Sequence, residues 1–275
     1  MKIAQGKLSN GDISLLKVSD NVTPPVYRRL RGDLFSDNLQ VGEEVEVIEL
    51  FAPIQPRAMY CIGLNYRSHT DSIGVAPPQW PVIVPKGINA VLAPNQPILL
   101  PRNLVSQKVD YEGELAVIIG RDCKDATHKN ALQYVLGYTC ANDVSARDWQ
   151  FEWGGGQWAR AKQFDTFGPL GPWLVTADEI PDPSLLELQT FVNGEVRQQS
   201  SLKNMIFSVP ELITFLSGST TLLAGTVIFT GTPAGVGMKQ NPPSWLKKGD
   251  VVRVKIDGIG ELSNRVEEEP ASIKR

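Results

Sequence analysis

Two glutamates one residue apart, Glu112 and Glu114, open the apolar run Leu115-Ala-Val-Ile-Ile119. Alternate side chains of a strand share a face, so the two carboxylates would stand about 7 Å apart on the same side. A hard divalent cation such as Mg²⁺, Mn²⁺ or Ca²⁺ prefers oxygen ligands and would relieve their repulsion. The spacing suits equally a pair of exposed carboxylates at a solvated strand end. Farther along, Asp143, Arg147 and Gln150 are spaced four and seven apart, which predicts one face of a helix. Such a trio could grip a metal and an anionic substrate, because the guanidinium fork matches a carboxylate. The other reading is an intrahelical Asp–Arg pair worth roughly a few tenths of a kcal/mol. Lys162 follows the flexible Gly154-Gly-Gly156. A surface lysine is the default there, although Trp158, Phe164 and Phe167 point to a less exposed setting. The turn Thr230-Gly-Thr-Pro-Ala-Gly-Val-Gly237 lacks the signatures of a phosphate loop or a dinucleotide fold. It could bring backbone N–H groups and Thr232 to a ligand carboxylate, or be purely structural.

Other residue types exclude whole classes of chemistry. The chain has only two histidines, His69 and His128, which rules out a His-rich zinc site. Cys61, Cys123 and Cys140 form no CxxC pair, so neither a disulfide framework nor a four-thiolate site is expected, and a reducing compartment fits better. A net charge of -3 argues against nucleic acid or an anionic membrane as the main partner. The N-terminus carries no signal core, and no apolar run approaches the ~18 residues that span a bilayer. The expectation is a soluble, cytoplasmic protein.

These groups need a scaffold, and with 42% hydrophobic and 21% charged residues the chain can build a sizeable core. Twenty-four glycines and 20 prolines predict many turns and short strands. Strand patterns cover Ile13–Val18, Glu46–Phe51, Met59–Ile62, Glu114–Ile119, Thr226–Thr230, Val251–Ile256 and Glu261–Val266. Asn193-Gly194 between Leu186–Val192 and Glu195–Arg197 predicts a hairpin. Helices are expected over Asn130–Leu136, with Thr127 as cap, and over Pro210–Leu216, capped by Ser208. The basic run Tyr27–Arg31 reads as a solvated face. The prolines at 53 and 56 predict a boundary between a small N-terminal domain, 1–55, and a catalytic domain, 56–275. The sum is a strand-rich α+β protein.

Taken in order, these segments resemble the fumarylacetoacetate hydrolase family, from about Ala58 to Val266. The matching pieces are Gly63-Leu-Asn-Tyr66 with His69, Tyr111-Glu-Gly-Glu-Leu-Ala-Val117, Asn142-Asp-Val-Ser-Ala-Arg-Asp148 with Gln150, Lys162 with Phe164-Asp-Thr-Phe167, Gly171-Pro172, and Thr230-Gly-Thr-Pro233. Trp149 after Arg147-Asp148, and Pro242-Pro243 ahead of Leu246-Lys-Lys-Gly249, are similar to the domain-containing protein 2-like branch of the family. Some proteins of the wider domain-containing branch tautomerise oxaloacetate.

The resemblance implies twisted sheets rolled around a central site, a β-sandwich or roll, usually in a homodimer. It implies Mg²⁺ or Mn²⁺ held by Glu112, Glu114 and Asp143. Arg147, Gln150 and Lys162 would face the substrate with Tyr66, and Thr232 would anchor its carboxylate. His69 would transfer the proton from a lid; its ordinary pKa of ~6.5 suits a general base. The substrates would be small oxo or β-diketo acids, cleaved at a C–C bond through a metal-bound enolate. In the hydrolytic members a glutamate follows the histidine three residues later, and here that position is Ser72. Ala161 also stands where the family usually has glycine. The departure at Ser72 keeps two alternatives in view: an oxaloacetate-type tautomerase or decarboxylase, and a catalytically silent oxo-acid-binding paralogue.

Overall fold

A computed structural model describes residues 1–36, 38–153 and 155–271, so Gly154 of the glycine run lies outside the described residues. Its heart is the Gly113–Ile119 strand, every residue of which is buried. The sequence explains this. Leu115, Val117 and Ile119 pack into one hydrophobic cluster and Ala116 and Ile118 into another, so both faces of the strand meet apolar side chains. Each large side chain so buried contributes about 1.5–3 kcal/mol. Glu112 and Glu114 share the parity of Ala116 and Ile118 and lie where that face ends.

Around this strand runs a twelve-stranded sheet whose main path comprises Gln40–Val45, Val26–Arg31, Ile13–Ser19, Lys2–Leu8, Gly168–Thr176, Val135–Asn142, Gly113–Ile119, Thr226–Phe229, Ala58–Gly63 and Val82–Lys86. The first five strands of the chain form one end of it, joined where Lys2 and Ile3 pair with Val175 and Leu174. A second sheet of five strands comprises Glu195–Ser201, Glu187–Val192, Val251–Ile256, Gly260–Glu268 and Ile98–Leu100. Both sheets supply residues to both clusters. The fold is α+β and strand-rich, with three short α-helices among the described residues: α1 Arg67–Ile73, α2 Trp158–Lys162 and α3 Val209–Ser217. None is long and apolar enough to cross a membrane.

The hairpin forms as its sequence predicts, with Asn193 and Gly194 both at positive φ. Ser208 caps α3, its N–H donating to the Glu211 carboxylate at 2.7 Å. Of the run Tyr27–Arg31, Arg29 and Arg31 pair with Glu43 and Arg29 also with Asp12. Two expectations are corrected. The Asn130–Leu136 segment is a single 3₁₀ turn, Ala131–Tyr134, followed by the strand Val135–Asn142. The β-favouring Val, Tyr, Thr and Cys of that strand are paired on both sides, and this outweighs a weak helical start. Asp143, Arg147 and Gln150 do not share a helix face. Asp143 follows the strand, Ser145–Ala146 pairs with Val109–Asp110, and a wide π-helical turn begins only at Asp148.

Candidate active site and metal centre

Strand register assembles the site. Gly113 lies opposite Asn142, so the start of one strand meets the end of its antiparallel neighbour. Glu112, Glu114 and Asp143 thereby converge, although 28 residues separate Glu114 from Asp143 in the chain. Next to them, the Thr226–Phe229 strand ends in Thr230-Gly-Thr232, and the Ala58–Gly63 strand runs on into α1 with His69. Four strand ends thus meet at one edge of the core.

One oxygen from each of Glu112, Glu114 and Asp143 lies within 4.8 Å of the others, and all three residues are buried. Lys162 Nζ donates to Glu112 Oε2 at 2.9 Å, to Asp143 Oδ2 at 2.6 Å and to Ser145 Oγ at 2.8 Å. Lys86 Nζ stands 2.9 Å from Asp143 Oδ1 and donates to the carbonyls of Lys162 and Phe167. Arg147 lies between Asp110 and Glu112, with Nε at 2.9 Å and Nη1 at 2.7 Å. Arg147 Nη1 also donates to Gln150 Oε1 at 2.9 Å. Its Nη2 and His69 Nδ1 are buried without a partner among the described residues.

Glu114 is different. Among the described residues its Oε2 accepts only the Gly231 N–H, at 2.7 Å, and no cation pairs with it. The approach needs glycine at 231. That residue has φ +99°, and a Cβ there would stand 2.6 Å from the Asn65 Cβ and 3.0 Å from the Ile62 carbonyl. Thr232 Oγ1 donates to the Gly113 carbonyl and accepts from Gln198 Nε2.

The electrostatics divide along the same lines. Burial acts to raise all three carboxyls. At Asp143, Lys162 and Lys86 outweigh it and hold the carboxyl down to about 2. At Glu112, Lys162 and Arg147 outweigh it as well, and the shift is downward. At Glu114, burial is reinforced by Asp143 and Glu112, and the carboxyl lies well above its usual range. Burial pushes His69 down to about 4, with Arg147, Lys162 and Lys239 contributing. The imidazole is therefore neutral at neutral pH.

These groups open onto a cavity of about 300 Å³, at the lower end of ligand-site sizes. Glu112, Arg147, Gln150, Lys162, His69 and Thr232 line it, and Phe151 and Trp158 form apolar wall. Tyr66 does not line the cavity: it is fully buried in a core cluster with Leu115, within reach of the Glu114 charge, and its hydroxyl has no partner among the described residues. Ser72 is exposed, and its Oγ donates back to the His69 carbonyl at 2.7 Å. His128 belongs to a separate surface pocket with Trp80 and Phe215.

Sequence reasoning missed Lys86 and Asp110. Strand parity was a signal for Asp110, which shares alternation with Glu112 and Glu114. Lys86, a single lysine behind Val82-Ile-Val-Pro85, offers no spacing to read.

The model of the fumarylacetoacetate (FAA) hydrolase C-terminal family matches residues 58–267, most of the chain. The chain belongs to this family. A Dictyostelium discoideum relative, described as a fumarylacetoacetate hydrolase domain-containing protein 2 homolog, is 43% identical over 231 residues, covering 81% of this chain and 75% of that protein. Among solved structures, a 5-carboxymethyl-2-hydroxymuconate delta-isomerase from Mycobacterium smegmatis is 38% identical, with a TM-score of 0.85 over 98% of this chain and 100% of that one. A fumarylacetoacetate hydrolase from Exiguobacterium antarcticum is 36% identical, with a TM-score of 0.84 over the same shares. Family members thus include hydrolases and isomerases, and in this member Glu112, Glu114 and Asp143 could hold a metal ion.

Proposed function

We propose that the protein is a Mg²⁺- or Mn²⁺-dependent enzyme that acts on a small oxo or β-diketo acid through its enolate. One observation carries this: three buried carboxylates converge beside a cavity into which an arginine and a neutral histidine also face. Their oxygen-only donor set fits a hard cation, and Glu114, without a cationic partner among the described residues, is the group that most needs one. A cation held there would supply Lewis-acid polarisation of the acid's oxygens.

The chain's own residues do the rest. Lys162 and Arg147 fix the rotamers of Glu112 and Asp143, and their charges favour an oxyanion developing beside them. The unpaired Arg147 Nη2 is a donor for a substrate carboxylate. His69, neutral and with Nδ1 unpaired, can accept the proton that leaves the α-carbon. Phe151 and Trp158 limit water on that side.

Two outcomes of the enolate chemistry stand beside each other. One is hydrolytic C–C cleavage, which the Exiguobacterium relative, named a hydrolase, supports. The other is proton relocation or decarboxylation. Ser72 favours the second, because its hydroxyl points back to the helix backbone and no carboxylate follows His69 by three residues. The mycobacterial isomerase supports it too.

The test is a screen of oxo and β-diketo acids in D₂O, with Mg²⁺ and with chelator, read by mass spectrometry. Cleavage products place the protein with the hydrolases. Metal-dependent deuterium uptake or CO₂ release without cleavage places it with the isomerases and decarboxylases. Binding with neither overturns the enzymatic reading and leaves an oxo-acid-binding paralogue.

A further inference from the structure

A side chain of the second sheet reaches the strand ends of the first. Gln198, on the Glu195–Ser201 strand, is fully buried, and its amide closes a ring of hydrogen bonds with Gly113 and Thr232. Its Oε1 accepts the Gly113 N–H at 2.9 Å. Its Nε2 donates to Thr232 Oγ1 at 2.7 Å and to the Pro233 carbonyl at 2.9 Å. Thr232 Oγ1 in turn donates to the Gly113 carbonyl at 2.9 Å. The amide cannot be turned round, because a backbone N–H meets one end and a carbonyl meets the other. Each member of the ring thus holds the next in one polarity.

Both anchors bear on the site. Gly113 lies between Glu112 and Glu114, so its peptide groups set where the two carboxylates leave the strand. Thr190, opposite Gln198 across the second sheet, crowds the same residue: a Cβ at 113 would stand 1.9 Å from Thr190 Oγ1. Thr232 lines the cavity. Its hydroxyl has one proton, and Gln198, itself the donor in their bond, cannot take it. That proton can point to the Gly113 carbonyl or to a ligand oxygen in the cavity.

We infer that Gln198 is a positioning residue of the site. It pins Gly113 between two of the carboxylates that would hold the cation, and it keeps Thr232 a hydrogen-bond donor towards an acid group in the cavity. This rests on the oxo-acid reading above and deepens it. Gln198 does not itself line the cavity and acts through Gly113 and Thr232.

Gln198→Glu tests it. The variant keeps the acceptor for the Gly113 N–H but turns the other end of the side chain into a second acceptor, which captures the Thr232 proton. Titration calorimetry measures Mg²⁺ binding to the metal-free protein and oxalate binding to the Mg²⁺-loaded protein, oxalate standing in for an acid with two adjacent oxygens. Mg²⁺ affinity should stay at or above that of the wild type, because Gly113 is still held and negative charge is added nearby. Oxalate affinity should fall about tenfold, the size of a lost hydrogen bond to a charged group. In a Thr232→Val background the same substitution should cost no more than about threefold, the part due to repulsion alone. Gln198→Met repeats the comparison without a buried charge. It frees Gly113 and Thr232 together, so both affinities should fall about threefold or more. The inference is overturned if Gln198→Glu leaves oxalate binding unchanged, lowers it equally in both backgrounds, or lowers Mg²⁺ affinity in step with it. Unchanged affinities in Gln198→Met overturn it too. If the Mg²⁺-loaded wild type binds no oxalate, the oxo-acid reading falls with it.

Discussion

The floor and the rim of the cavity are built on different physical terms. On the floor, Glu112, Glu114 and Asp143 sit at the ends of paired strands, and each is fixed by register, by a backbone N–H or by a buried lysine. On the rim, His69 rides on α1, a helix of seven residues with no side-chain hydrogen bond at its N-cap, and Ser72 and Val75 beside it are exposed. So short a helix has little stability of its own and depends on its packing. The floor places charge, and its geometry cannot shift without breaking the sheet. In the proposed function the rim would move protons, whereas the floor would hold the cation. Ser72, three residues after His69, lies on this rim.

The sharpest break of this contrast is Glu114→Gln. The amide keeps the shape and still accepts the Gly231 N–H, but it removes a ligand charge. Cation binding by calorimetry should be lost, and turnover should fall on the order of 10³-fold. The metal-free protein should behave in the opposite way. Burial and two neighbouring carboxylates oppose the charge of Glu114, so its removal should raise the apo melting temperature by about 2–4 °C, the size of a ~1 kcal/mol gain. A variant that binds Mg²⁺ as the wild type does would show that the floor is not the metal centre.

His69→Gln probes the rim with the floor intact. Turnover should drop about 10²–10³-fold, as for loss of a general base, while cation affinity stays within about twofold. The pH profile adds a sign. His69 works in its neutral form, and burial pushes its pKa down to about 4, so activity should persist well below pH 6.5 and fall only as the pH approaches 4. Cation affinity measured over the same range separates this limb from loss of metal. The fold itself should lose stability between about pH 6.5 and 4, because the unfolded imidazole takes a proton that the buried one resists. That slope should shrink in the variant. An acid limb near 6.5 would mean that His69 is solvated in the working enzyme.

The two regions were unequally legible in the sequence. The Glu112/Glu114 pair could be read because strand alternation is strict and an apolar run followed it. Asp143, Arg147 and Gln150 were recognised as a group for a mistaken reason. Helical spacing suggested one face, whereas a strand end, a two-residue bridge and a π-helical turn bring them together. Local spacing carries no record of long-range register, so the convergence of Asp143 with Glu114 and the insertion of Lys86 were out of reach. The rim was least legible. Lys239 sits in a polar loop where a solvated lysine is the ordinary expectation, and only the fold turns it towards the cavity.

The smallest expected effect is at Ser72. Its hydroxyl bonds only to the His69 carbonyl three residues back, a bond that competes with water at an exposed position. Ser72→Ala removes this bond without touching the cavity lining, so stability should change by no more than about 0.5 kcal/mol and turnover by less than about twofold. The measurement is kcat and KM on whichever acid the screen identifies, alongside a thermal melt. A loss beyond tenfold in kcat with the melt unchanged would place the serine hydroxyl in proton transfer. The rim would then have exchanged one catalytic group for another instead of losing a water-activating arm, and the case for proton relocation over hydrolysis would lose its main support.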